Sequence, residues 1–221
     1  MIPLGDETRR PLHVPIVTAA IIAANAVMFL LELAGGDQFV LDWSVVPADI
    51  VAGRHWITLL TAMFMHAGWL HILGNMVFLW AFGPQIEDVM NPFRYLAFYL
   101  VGGLIAMLAQ IAVDPSSGIP NLGASGAIAA VMGAFLVTYP RDQIRTVLIL
   151  GWFWRVTLVP AVVLIGLWFL IQLFSFGAVT DVDTGGVAYL AHIGGAIFGA
   201  LTARVLEDPR RLAEQRDAGF E

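Results

Sequence analysis

The chain contains no cysteine and no lysine. Without cysteine there can be no disulfide framework, no thiolate nucleophile and no thiolate metal site. Without lysine, all eleven basic residues are arginines, so the distribution of positive charge is read from arginine alone. Charge of either sign is scarce, at 13% of the 221 residues, where an ordinary soluble domain carries about 25%. The formal net charge of -6 says little, because in a membrane chain the placement of basic residues is what carries information.

Apolar residues fill that space. The chain is 59% hydrophobic, with a mean hydropathy of +0.80, and has several runs near the ~20 residues needed to cross a ~30 Å bilayer core. It is expected to be an all-α polytopic membrane protein, a single membrane domain over 1–221. Six spans are expected, at about 16–33, 69–83, 95–113, 124–139, 156–176 and 186–205, with polar tails at 1–15 and 206–221. The first run is longer than the ~7–15 residues of a signal-peptide core. That favours a retained span over a cleaved leader ending at Ala34-Gly35.

The long connection 35–68 contains Trp43, Pro47, Arg54 and Trp56, then the ten-residue run Trp56–Met65. That run is too short to span, and its aromatic and Met content suits an element lying in the headgroup region. A second interfacial stretch is expected between spans four and five, bracketed by Arg141, Arg145 and Arg155. With the N-terminus inside, ten arginines fall on the inner side and only Arg54 outside. By the positive-inside rule, both tails are expected to be cytoplasmic.

Polar residues within the spans are few, and such residues are functional candidates by default. Span two holds His71 and Asn75, span four opens with Ser125, and span six holds His192. Ser125 lies 16 residues from Arg141, and His71 lies 16 from Glu87, each roughly 24 Å above the inner boundary at ~1.5 Å per residue. Asn75 to Glu87 and His192 to Arg204 are 12 residues each, roughly 18 Å. Three helices therefore bring polar groups to one layer in the outer half of the membrane. His71 and Asn75, four apart, share a helix face. His192, Gly195 and Gly199 form one slim stripe that permits close helix approach, and Ser125 with Ala129 makes a similarly slim face on span four.

Each residue alone has a plainer reading. A serine among glycines packs helices, a lone histidine is a hydrogen-bonded core residue or a proton-relay member, and an asparagine bonds two helices. Gly195 and Gly199 are structural on any reading, and His66 near the interface reads as a structural hydrogen-bonder. The conjunction points to nucleophilic catalysis. His192 has the pKa range of a base at neutral pH, and Ser125 needs such a base to be activated. His71, Asn75 and the Ser125 amide can donate to an oxyanion. With no Asp or Glu at that depth, the arrangement is a dyad.

These residues resemble the motifs of the rhomboid family of intramembrane serine proteases. Gly123-Ala124-Ser125-Gly126 is similar to its GxSG motif, and His71 through Asn75 to its HxxxN motif on the second span. Ala191-His192-Ile193-Gly194-Gly195, continuing to Gly199, is similar to its AHxxGxxxG motif on the last span. The resemblance covers about 16–205 and implies a six-helix rhomboid-like bundle. It implies Ser125 as nucleophile, His192 as general base, and His71, Asn75 and the Ser125 amide as the oxyanion hole. Gly123, Gly126, Gly195 and Gly199 would support close packing. The family implies cleavage of transmembrane protein substrates in the bilayer near the outer membrane face, without a cofactor, metal or nucleic acid, and a multi-pass location in the cell (inner) membrane. A gate and cap are expected from 168–176 and the loop 177–185.

Two positions depart from the family pattern. Trp56-Ile57-Thr58 stands where many members have Trp-Arg, and Ala129 stands where some have a tyrosine stacking on the histidine. The ring of His192 therefore needs another partner. Two other function classes compete with a protease. A non-catalytic relative that binds transmembrane segments for quality control would be expected to lack Ser125 or His192. A channel or transporter would call for paired intramembrane charges or repeated half-structures, which the sequence lacks.

Overall fold

The computed structural model describes residues 1–178 and 189–219. After strand β1 (Ile2–Asp6), helix α1 runs Ile16–Trp43, followed by the short helices α2 (Pro47–Val51) and α3 (Thr58–Thr61) and a 3-10 turn at Ala62–Phe64. Helices α4 (Trp69–Met90), α5 (Pro92–Val113) and α6 (Ser125–Thr138) follow. A hairpin of β2 (Gln143–Leu150) and β3 (Phe153–Pro160) then leads into α7 (Ala161–Ala178), α8 (Tyr189–Leu206) and α9 (Pro209–Asp217).

The helical bundle and its membrane character stand as expected. Helices α1, α5 and α8 are each long and apolar enough to cross a bilayer, and the α3/3-10 segment with α4 passes as a pair bent by 88°. Helices α6 and α7 are shorter apolar helices. The bend places the Trp56–Met65 run across the top of α4, with Ala62, Met63 and Met65 buried and Trp56, Ile57 and Leu60 exposed. Gly103 on α5 makes room for it, since a Cβ there would collide with the Met63 side chain.

Helix ends are set by local chemistry. The Glu87 carboxylate accepts from the backbone N–H groups of Val17 and Thr18 at 2.8 and 2.7 Å, and from Thr18 Oγ1 at 2.7 Å. It thereby satisfies donors that the first turn of α1 leaves without intrahelical partners. Gly36, at φ 64°, breaks α1. Asn91, at φ 69°, turns the chain between α4 and α5 and caps α5 by accepting from the Arg94 N–H, with Pro92 in the first turn. The core beneath the site is aromatic: Phe82, Phe135 and Tyr139 pack edge to face in sequence, at 5.0 and 5.4 Å between centroids.

Stretch 141–160 departs from expectation. The helix expected from 156 does not begin there: the stretch forms a β-hairpin around a two-residue turn with Gly151 at φ 60°, the conformation that tight hairpin turns demand. β1 pairs antiparallel with β2, giving a three-stranded sheet ordered β1-β2-β3. Val156, Thr157 and Val159 are β-branched and suit a strand, and α7 starts only at Ala161. The sheet sits at the same end of the bundle as α9: Arg9 pairs with Asp142 at 3.1 Å and lies over the Tyr139 ring, whose hydroxyl donates to Gln215. Most of the loop 177–185, expected as a cap, and the first residues of expected span six lie outside the described residues.

Candidate active site

Helices α6 and α8 meet backbone to backbone, and glycine is the reason. A Cβ on Gly195 would land on the Gly126 carbonyl oxygen, one on Gly199 on the Ala130 carbonyl, and one on Gly133 on the Ala196 carbonyl. Gly126 serves the opposite side of α6, where a Cβ would come within 2.6 Å of the Ala106 methyl on α5. This small-residue seam carries Ser125 on α6 and His192 on α8 to one level. Ser125 Oγ lies 2.7 Å from His192 Nε2.

Gly123 has two separate requirements. Its φ of 136° is costly for residues with a Cβ, and a Cβ there would press on the His71 ring at 3.1–3.2 Å. Its N–H donates to the Ala62 carbonyl at 2.8 Å, tying the turn before Ser125 to the connection between α1 and α4. Ser125 is the first residue of α6, so its own N–H has no intrahelical acceptor.

The far nitrogen of His192 is also bound. Nδ1 lies 2.7 Å from Gln172 Oε1 on α7, and the Trp168 ring sits 5.4 Å from the imidazole. An amide oxygen only accepts, so Nδ1 carries the proton and Nε2 accepts from the Ser125 hydroxyl. His192 and Gln172 are both buried. The ring partner that Ala129 cannot supply is therefore Gln172, with Trp168 alongside. Sequence reasoning passed over Gln172, although it is a polar side chain within an apolar run.

His71 is oriented by a local bond: its Nδ1 accepts from the Ala67 N–H at 3.3 Å. Its proton therefore sits on Nε2, 3.2 Å from where a Gly123 Cβ would lie. Asn75 Nδ2 is buried and, among the described residues, has no hydrogen-bond partner. His71, Asn75, Ser125, His192 and Trp168 all line one cavity of about 560 Å³, which reaches inward to Met132. The four residues singled out from sequence thus share one space.

His66 sits beside the site: its backbone N–H donates to Glu32 at 3.0 Å, and its ring packs edge-on against His71 at 5.1 Å. The connection between α1 and α4, lacking the Trp-Arg pair, is held by other bonds. Arg54 pairs with Asp49, and Thr61 Oγ1 donates to the Trp43 carbonyl at 2.8 Å.

A serine and a histidine in hydrogen-bonding contact, facing a cavity within a helical membrane bundle, define an intramembrane hydrolase-like architecture. The Rhomboid domain profile matches residues 53–208, and the chain belongs to the rhomboid family. It is 30% identical over 201 residues to the rhomboid protease GluP of Bacillus subtilis, covering 89% of this chain and 36% of that protein. The putative rhomboid protease YdcA of the same organism is 32% identical over 125 residues, 55% of this chain and 61% of that protein. The mouse presenilin-associated rhomboid-like protein, mitochondrial, is 27% identical over 190 residues, 81% of this chain and 45% of that protein. The chain spans between about a third and three-fifths of the length of these curated relatives.

Proposed function

We propose that this protein is an intramembrane serine endopeptidase using Ser125 and His192. The observation that carries the reading is the 2.7 Å Ser125 Oγ to His192 Nε2 contact, with Nδ1 engaged by Gln172. Attack by Oγ on a substrate carbonyl passes the serine proton to Nε2, and the Gln172 amide oxygen holds the ring in the tautomer that can accept it. The oxyanion is met by the Ser125 N–H, His71 Nε2–H and the unpartnered Asn75 amide. Collapse of the tetrahedral adduct returns the proton from Nε2 to the leaving amine. Water activated by the same nitrogen then hydrolyses the acyl-enzyme.

The substrate is a transmembrane segment entering from the bilayer, unwound near the cut so that its peptide carbonyl is accessible. Phe78 on α4 and Trp168 on α7 stand with ring centroids 6.4 Å apart at the cavity wall, and their separation would open a lateral entrance. The whole chain forms one six-span domain in the cell (inner) membrane. Its arginine-rich end, which carries the sheet and α9, is cytoplasmic by the arginine distribution, and the dyad lies toward the outer face.

The test compares wild type, Ser125→Ala and His192→Ala on a labelled transmembrane substrate in liposomes. Cleavage by wild type alone is expected. Equal cleavage by all three sinks the dyad.

A further inference from the structure

The three-stranded sheet presents an uncovered apolar face. Strand pairing sets Ile2 opposite Val147, Val147 opposite Val156, Ile149 opposite Trp154 and Arg145 opposite Leu158, so these side chains project to one side. Ile149, Trp154, Val156 and Leu158 on that side are 54, 73, 44 and 50% exposed. The turn adds Trp152, 100% exposed; Phe153, which opens β3 and by alternation projects to the other side, is 82% exposed at the hairpin tip. By contrast, Ile144 and Thr146, on the opposite side, are fully buried against the bundle. One face of the sheet belongs to the protein core, and the other is a contiguous apolar patch of the kind that marks an interaction surface.

Position identifies the occupant. β3 passes into α7 with no residue between, and the first turn of α7 is bonded to the link from α6 into β2: the Ala161 N–H donates to the Asp142 carbonyl at 2.8 Å and the Val162 N–H to the Pro140 carbonyl at 3.0 Å. Exposed apolar residues therefore continue past the junction, from Leu158 to Val162, Val163, Leu167 and Leu170 on α7, a helix whose apolar flank faces lipid. The same environment is the nearest available cover for the sheet. Charge agrees with this. Arg141, Arg145 and Arg155 are exposed, with Arg145 reaching Glu7 at 3.5 Å, while the one acid of 141–155, Asp142, is buried in its pair with Arg9. Tryptophans beside arginines are the composition of the headgroup layer.

We infer that the β2–β3 hairpin is a membrane-docking element. It lies against the leaflet at the sheet end of the bundle, with Trp152, Phe153 and Trp154 in the headgroup layer and Arg145 and Arg155 beside anionic lipid headgroups. The hairpin braces the inner end of α7, the helix that carries Gln172 and Trp168.

The lack of cysteine makes the test direct. Full-length Phe153→Cys and Ile149→Cys, labelled with an environment-sensitive NBD probe, are reconstituted in phosphatidylcholine vesicles with or without phosphatidylglycerol. Asp217→Cys on α9 is the reference site. The hairpin probes should show blue-shifted emission, quenching by lipids brominated near the headgroup, and iodide quenching several-fold weaker than at Asp217. Adding Arg155→Glu should reduce the lipid quenching in phosphatidylglycerol vesicles and leave it unchanged in phosphatidylcholine alone. Iodide access equal to that at Asp217 at both hairpin positions overturns the inference. So does protection that disappears when the protein is diluted to one copy per vesicle, which would assign the face to a second copy.

Discussion

Gln172 Oε1 lies 2.7 Å from His192 Nδ1, on the ring edge opposite the nitrogen that meets Ser125. A buried neutral amide in this place orients the imidazole without adding charge. Gln172→Ala should slow kcat by on the order of tenfold, the equivalent of about one neutral hydrogen bond, with KM little changed. Gln172→Glu gives a sharper readout. A carboxylate at Nδ1 favours the imidazolium, so the base stays protonated to higher pH. The acidic limb of the pH–kcat profile should move upward, a change that a merely structural role would not produce. Profiles of the two variants on one transmembrane substrate decide the matter.

Gly199 tests the seam that brings the dyad together. A methyl there would overlap the Ala130 carbonyl oxygen, and neither backbone can step aside without parting α6 from α8. Gly199→Ala should cost about 2 kcal/mol of stability by overpacking and remove most cleavage, because Ser125 and His192 ride on the two helices being separated. Gly166 on α7, where a Cβ meets nothing within 4 Å, is the matched control. Gly166→Ala should leave the thermal midpoint in detergent and the activity near wild type.

Depth and face were legible in the sequence because the helical rise is regular. Counting from arginines and acids put Ser125, His71, Asn75 and His192 in one layer, and all four line one cavity. The same count would have found Gln172. It stands 17 residues beyond Arg155, about 25 Å up, level with Ser125 and His71. The hairpin was harder to see. Hydropathy does not distinguish an apolar strand from the start of an apolar helix, and Gly151-Trp152 is a weaker turn signal than Asn-Gly. Pairing of Ile2–Asp6 with β2 rests on contacts across some 140 residues, which no local pattern reports.

Asp6 links the sheet to pH. Burial, and next the neighbouring Asp142 carboxylate, push its pKa up to about 7 from 3.8, and with the proton bound the two carboxyls can share a hydrogen bond. The folded state therefore binds this proton more tightly than the unfolded chain does. The resulting stabilisation is fully present below pH 3.8 and is lost as pH rises through about 7. Asp6→Asn mimics the protonated form at every pH. Thermal midpoints of the two proteins should converge near pH 4 and separate toward pH 8, with Asp6→Asn the more stable; parallel curves would contradict this.

Phe78 and Trp168 test whether α7 must move from α4 to admit substrate. Their rings close the cavity wall at 6.4 Å between centroids, and Trp168 also packs on His192 at 5.4 Å. With no native cysteine, Phe78→Cys/Trp168→Cys can be bridged by a short bismaleimide without competing thiols. Crosslinking should abolish cleavage of a transmembrane substrate, because an entering helix needs the gap. Ser125 should still be labelled by a small fluorophosphonate, since the Gln172–His192–Ser125 chain is untouched by the bridge and the cavity still admits a small probe. Loss of both reactions would mean that the bridge had disturbed the dyad. Retention of both would show that substrate reaches Ser125 by a route that leaves α4 and α7 together.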